Sequence, residues 1–247
     1  MLVAAALPGL PEVHAGDDLA VLLFGAAGML ADGDVLVVAH KIVSKAEGRT
    51  VALSTVEPGE RARQLATEQG KDPRLVEVIL SETDEIVRSR PGVLICRTRH
   101  GFVCANAGVD GSNAGAPGEV VLLPADPDAS ARALRARLRA LTGVAPAIVI
   151  TDSFGRAWRI GQCDIAIGVA GLAPAEDWRG RIDGVGRDLE ATVIAVADGA
   201  AAAADLTRGK DSREPAVLVR GLERHVTEGD GPGASALVRT RDEDLFL

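Results

Sequence analysis

The 247-residue chain has no tyrosine, and its four phenylalanines and two tryptophans bring the aromatic share to only 2%. A core of the size such a length allows must then be built from Ala, Val, Leu and Ile. Stacking platforms for single-stranded nucleic acid are excluded as a theme. Positive charge is also in deficit: the formal net charge of -8 argues against a nucleic-acid surface, so any anion site must be local. The three cysteines, Cys96, Cys104 and Cys163, form no CxxC pair and have no ligand-spaced histidine. They read as reduced thiols, consistent with the cytoplasm. The four histidines, His14, His40, His100 and His225, form neither HExxH nor a facial triad.

Long apolar runs are missing as well. No stretch reaches the roughly 18 residues of a membrane span, so no membrane partner is expected. The richest stretch, 191–206, is broken by Asp198, Gly199 and Asp205. Residues 1–7 are apolar but lack a preceding basic segment, so they read as a first strand and not as a signal peptide. There is no GxxxxGK[ST] loop and no GxSxG elbow. Gly184-Val185-Gly186-Arg187 lacks the third glycine of a dinucleotide fingerprint.

What is present alternates between strand-like and helix-like runs, without the strict rhythm of a doubly wound sheet. Strands are expected at 2–7, 34–39, 119–123, 146–150, 164–169 and 215–220, with a hairpin formed by 93–98 and 101–105. Helices are expected at 19–30, 58–69, 73–81, 127–141 and, rich in alanine, 188–207. Asp126-Pro127-Asp128 reads as a helix cap and not as a metal site, because helical apolar spacing comes directly after it. The tail after Glu223 is glycine- and charge-rich and is expected to be loosely ordered. The fold class is α+β (mixed α/β), with a principal domain at 1–222 and a tail at 223–247.

Two polar segments carry the chemistry. Ala105-Asn106-Ala107-Gly108-Val109-Asp110-Gly111-Ser112-Asn113 and Thr151-Asp152-Ser153-Phe154-Gly155-Arg156 each set one carboxylate among glycine, hydroxyl and amide groups after a strand-like stretch. Such acids can hold Mg²⁺ or Mn²⁺ against phosphate oxygens; equally, each segment taken alone can be a tight turn. Cations lie close in sequence. Lys41, Lys45 and Arg49 come after the 34–39 strand, and an extended continuation would put Lys41, Val43 and Lys45 on one face. A solvated polar edge would look the same. Arg156, Arg159 and Gln162 lie just past the second acidic segment and suit phosphate or carboxylate groups. Together these residues suggest chemistry on a nucleoside polyphosphate, and a metal-dependent phosphohydrolase or phosphotransferase is a second reading of the same set.

In chain order, LPGLP, GDDLA, DGDVLVVAHKIVSKAEGR, GFVCANAGVDGSN, LLPADPDASA, VITDSFGRAWRIGQ and ADGAAAAADLTRGK resemble the coenzyme F-420-0:L-glutamate ligase (gamma-glutamyl ligase) family over residues 7–221. The match is strongest to the N-terminal ligase domain of the actinobacterial two-domain enzyme, whose other half is nitroreductase-like. The run Arg241-Asp242-Glu243-Asp244-Leu245-Phe246 is similar to the junction into that half, which marks either a stand-alone ligase or an excised domain.

The resemblance implies the non-Rossmann, non-P-loop fold of that family and a homodimer. It implies GTP-dependent addition of L-glutamate through γ-linkages to a deazaflavin precursor, by way of an acyl phosphate. Mg²⁺ or Mn²⁺, with K⁺ as a further cation, would assist, and a nitroreductase-like domain or partner is a further expectation. By matching motif, Asp110, Asp152 and Ser153 correspond to metal ligands. Leu7, Pro8, Gly9, Leu10, His40, Lys45 and Asn113 correspond to GTP contacts, with Lys45 and Arg156 as the catalytic cations. The match favours Lys45 over Lys41 at the phosphates. Departures are Ser153 where Thr is frequent, His40 where relatives carry a small polar residue, and Gly199 where an acid is usual. No ligand stands out in the loop 209–214.

Overall fold

The computed structural model describes residues 1–244. Leu245 and Phe246, the end of the junction-like run, lie outside the described residues. The centre is a five-stranded sheet in the order β1 (Val3–Ala6), β12 (Ala216–Arg220), β2 (Val35–Ala39), β8 (Ala147–Arg156), β9 (Arg159–Ala170). Only β2 and β8 run parallel, with Val35 opposite Ala147 and Ala39 opposite Thr151. The remaining neighbours are antiparallel.

Alternation along these strands explains the layers. Leu36, Val38, Ile148, Ile150 and Ile167 face one side, where they pack with Leu19, Ala20 and Leu23 of α1 (Leu19–Ala27) and Ala131, Leu134 and Leu138 of α5 (Pro127–Thr142). Val35, Val37, Val149 and Val169 face the other side and meet Ala197, Ala200, Ala201 and Ala204 of α6 (Val196–Asp205). Both faces of β2 and β8 are therefore covered, which is why their sequences are continuously apolar and not alternating. The alanines of α6 recur at helical spacing and give a smooth face for close approach to the sheet. Gly168 serves a similar need on β9: a Cβ there would come within 2.3 Å of the Pro127 carbonyl oxygen at the start of α5.

A second packed cluster is built from β4 (Thr83–Arg90), β5 (Val93–Thr98) and β6 (Val103–Ala105), from the pair β3 (Thr50–Ala52) and β7 (Glu119–Val121), and from α4 (Pro73–Ser81). α3 (Glu60–Gln69) flanks α4 through Ala62, Ala66 and Val76. A short pair, β10 (Ala175–Asp177) with β11 (Val193–Ala195), precedes α6.

Several expectations change. Residues 40–46 form a helix, α2 (His40–Ala46), and not an extended strand, because helical spacing lets His40, Val43 and Ser44 bury together. The Ala-rich helix begins at Val196, since 193–195 pair with β10. Residues 151–156 are no loop: β8 continues through them, paired with β9 along the hairpin. β4 was not expected, because its polar composition hides a strand that pairs on one side only, with β5.

The tail is held, not loose. Asp126 caps α5 by accepting the Ala129 N–H at 2.9 Å, as expected from the sequence. Asp128, buried two residues on, accepts N–H groups from Val169 at 2.8 Å, Ala234 at 2.7 Å and Ser235 at 3.2 Å. Two turns later the buried Arg135 donates to the carbonyls of Thr227 and Glu228 and to the Asp230 carboxylate at 2.9 Å. Farther on, Asp244 pairs with Arg97 of β5 at 3.2 Å. Asp128→Ala would leave three N–H groups without their acceptor and is expected to cost about 3 kcal/mol of stability. Urea unfolding should show that loss, and limited proteolysis should open 229–240 first. A stable variant with a protected tail would refute this clasp.

Candidate functional site

The parallel pairing of β2 with β8 stops at Ala39 opposite Thr151; there α2 begins, while β8 runs on to Arg156. His40 is buried at this junction, its Nε2 3.3 Å from Asp152 Oδ1 and its Nδ1 3.3 Å from Ser44 Oγ. Nε2 itself makes no hydrogen bond. One residue on, Lys41 reaches the first acidic segment. Its ammonium donates to Asp110 Oδ2 at 2.6 Å, to Ser112 Oγ at 2.7 Å and to the Ser112 carbonyl at 2.8 Å. Burial pushes the Asp110 carboxyl up, but the Lys41 ammonium and the Ser112 N–H and hydroxyl outweigh it and hold the group below its ordinary range. Asp110 is itself anchored, exchanging backbone hydrogen bonds with Val121 at the end of β7 at 2.9 and 3.1 Å. Two segments distant in sequence thus converge on the first turn of α2, one through His40 and one through Lys41.

Lys45 turns elsewhere. Nearly buried, it pairs with Glu12 at 2.5 Å, in the loop after β1. That loop also carries Leu7, Pro8, Gly9 and Leu10, of which Leu7 is buried and Pro8 and Gly9 are exposed. Asn113 is exposed in the Asp110 loop with a left-handed φ of 53°. Arg156 lies toward the far end of the β8–β9 hairpin, where it donates to the Ile160 carbonyl at 2.7 Å. The predicted residues therefore form a Lys41–Asp110 and His40–Asp152 centre with Lys45 beside the N-terminal loop, while the Arg156 side chain is turned into the hairpin tip.

Strand alternation divides the second acidic segment. Asp152 points toward His40, whereas Thr151 and Ser153 point to the other side, toward the end of α6. There they meet a group that sequence reasoning missed. Asp164, buried on β9 opposite Ser153, accepts the Ser153 hydroxyl at 2.5 Å, the Thr151 hydroxyl at 2.9 Å and the Arg208 guanidinium. Lys210 donates to Ser153 Oγ at 2.7 Å and to Asp205 at 3.0 Å. Burial pushes the Asp164 carboxyl up, but the Ser153 hydrogen bond and the Arg208 charge overcome it and keep the group low. The loop after α6 does reach the site, with cations and not with a further acid. The visible signal was one acid opening an apolar strand, Asp164-Ile165-Ala166-Ile167.

Cys104 lies near Asp152, and burial, reinforced by the Asp152 and Cys96 charges, raises its thiol to about 12. Cys96 faces Cys104 across β5 and β6, and both are free thiols. At that value Cys104 is no nucleophile near neutral pH.

No group of three His, Cys, Asp or Glu side chains comes together among the described residues. The donors at hand are hard oxygens without a closed cage: Asp110 and Asp152 on the α2 side of β8, and Ser153, with Asp205 near by, on the α6 side. That set suits Mg²⁺ or Mn²⁺, which take one or two carboxylates and complete their shell with substrate phosphate and water.

The family model for F420-0:Gamma-glutamyl ligase matches residues 9–221. The chain is similar to proteins named coenzyme F420:L-glutamate ligase. That of Methanopyrus kandleri is 48% identical over 237 residues, covering 95% of this chain and 93% of that protein. That of Methanothermobacter thermautotrophicus is 46% identical, with 96% of each covered. That of Haloarcula marismortui is 44% identical, with 97% and 93% covered.

The Lys41 contact makes a direct prediction. In Lys41→Met, burial acts on Asp110 with only the Ser112 N–H and hydroxyl to oppose it, so its carboxyl should titrate higher than in the unaltered chain. Carboxyl-carbon NMR across pH 2–7 reads this, and an unchanged Asp110 titration would remove Lys41 as the cause.

Proposed function

The chain belongs to the F420-0:gamma-glutamyl ligase family, and on that premise we propose that it ligates L-glutamate to the deazaflavin precursor coenzyme F420-0 at the expense of GTP. The observation that carries the finer reading is the convergence of Asp110, Asp152, His40 and Lys41 at the first turn of α2.

A carboxylate is a poor acyl donor near neutral pH and needs a leaving group. In this reading the precursor carboxylate oxygen attacks the γ-phosphorus of GTP, and the bond to the bridging oxygen breaks to release GDP. The amine of glutamate then adds to the acyl phosphate, losing a proton as phosphate departs. Later rounds use the side-chain γ-carboxylate. Asp110 and Asp152 would hold Mg²⁺ or Mn²⁺ on the α2 side of β8, and Ser153, on the α6 side, would serve a second such ion beside Asp205; bound there, the ions would supply charge neutralisation on the transferred phosphoryl group. Lys41 stands on Asp110 and Lys45 on Glu12 of the N-terminal loop, and in this reading the two ammonium groups would meet the polyphosphate of GTP. K⁺ as a further cation and a nitroreductase-like partner belong to the same proposal. So does a homodimer, which would cover Trp158 and Ile160, now 86% and 99% exposed at the hairpin tip.

Incubation with GTP, Mn²⁺, glutamate and F420-0, read by mass, should show gains of one glutamate residue that stop when GTP is left out. Loss of GTP without precursor, and no mass gain, would instead mark a phosphohydrolase. With ¹⁸O in the precursor carboxylate, label should appear in the released phosphate; unlabelled phosphate beside normal product would eliminate the acyl phosphate.

Asp152→Asn should fold normally and lose at least about 3 kcal/mol equivalent in kcat/KM, because one of two carboxylates at the metal is gone. Near-wild-type ligation by that variant would remove Asp152 from the mechanism.

A further inference from the structure

Ser153 carries one proton and two lone pairs, and the structure shows where the proton and one of the lone pairs go. Its hydroxyl donates to Asp164 Oδ1 at 2.5 Å, and its oxygen accepts from Lys210 Nζ at 2.7 Å. Asp164 cannot turn away from Ser153. It is 2% exposed, and its second oxygen accepts from Thr151 and from the guanidinium of Arg208. Arg208 is fixed in turn by donating to the Pro215 carbonyl at 3.0 Å. Lys210 differs: its side chain is 67% exposed, and among the described residues it is held through Ser153, Asp205 and, at 3.6 Å, Asp164.

A hydroxyl can serve a cation only through a lone pair; a proton aimed at the cation would repel it. On the reading of the site given above, we infer that Asp164 is a positioning residue, which takes the Ser153 proton and so leaves the Ser153 lone pairs facing the position on the α6 side that the Lys210 ammonium now holds between Ser153 and Asp205. Lys210 is the resident competitor for those lone pairs and leaves them when a divalent cation arrives. The carboxylate and its two buried partners are rigid, while the ammonium is tethered and mobile. The arrangement therefore keeps Ser153 charge-matched whether or not a divalent ion is bound, without moving either strand.

Mn²⁺ alone, titrated against the whole chain and followed by EPR of the free ion, tests this. Asp164→Asn turns an N–H toward Ser153, because the amide oxygen is needed by Arg208, and the Ser153 proton must then point outward. Mn²⁺ affinity should fall about 10–100-fold, the range seen when a group supporting a metal ligand is lost. In a Ser153→Ala background the same change should cost little further, whereas Ser153→Thr should keep the full dependence on Asp164. Lys210→Met, an exposed change that does not threaten folding, should tighten Mn²⁺ binding, and less so beside Ser153→Ala. Equal losses from Asp164→Asn with and without the Ser153 hydroxyl would overturn the inference alone, as would a Lys210→Met protein that binds Mn²⁺ no better. Wild-type protein that binds no Mn²⁺ would overturn the metal reading and this inference together.

Discussion

The site depends on one pairing, the parallel register of β2 with β8. These strands are joined through more than a hundred residues of chain, yet β2 ends at Ala39 opposite Thr151, in the middle of β8. Parallel strands deliver their C-terminal ends to the same edge, so the segments leaving the two strands must meet there. Here α2 continues from β2 without a connecting loop, so His40 and Lys41 are set on its first turn, while β8 carries Asp152 and Ser153 past the same point. Everything chemical in the molecule is placed relative to this edge: the Asp110 loop by Lys41, the loop after α6 by Asp164. A register slip of one residue between β2 and β8 would exchange the faces of Asp152 and Ser153 and dismantle both halves at once.

The elements that make this pairing were legible because they obey local rules. Residues 34–39 and 146–150 are continuous apolar runs, and the Asp126 cap with Gly143 at the far end brackets α5 within a residue. The Asp110 and Asp152 segments were visible as acids set among glycines and hydroxyls. What could not be read was the partnering. Lys41 and Asp110 are 69 residues apart and Asp164 and Arg208 are 44 apart, separations at which spacing carries no information. The extended reading of residues 41–45 fails for a different reason. Lys41, Val43 and Lys45 fit a two-residue repeat, but the buried His40, Val43 and Ser44 recur at i, i+3 and i+4, the spacing of one helical face. The tail misled because Asp128 and Arg135 look like ordinary charged positions of a surface helix, although both are buried and grip the chain a hundred residues later.

The two faces of β8 divide the labour electrostatically. On the α2 side, Asp110 has a lysine on it and Asp152 has a histidine beside it. On the α6 side, Asp164 is matched by Arg208 and Asp205 by Lys210. In a chain with a net charge of -8, these partners offset the mutual repulsion of four acids gathered around one strand. The cations do not come from a basic surface. They come from two segments, the first turn of α2 and the loop after α6, and are set against individual carboxylates.

This placement bears on how an anionic phosphoryl donor could be handled near acids. A carboxylate that is already paired does not repel phosphate as a free one would, and an ammonium on a flexible stem can shift its contacts from carboxylate to phosphate without a backbone change. The guanidinium of Arg208 is suited to the opposite role. Planar, permanently charged and nearly buried, it holds Asp164 in one orientation. The chain uses lysine where a contact must be exchanged and arginine where it must persist. The charges around β8 thus fall into a fixed frame, Asp164 with Arg208 and Thr151, and an exchangeable layer, Lys41 and Lys210, which meets whatever enters the site.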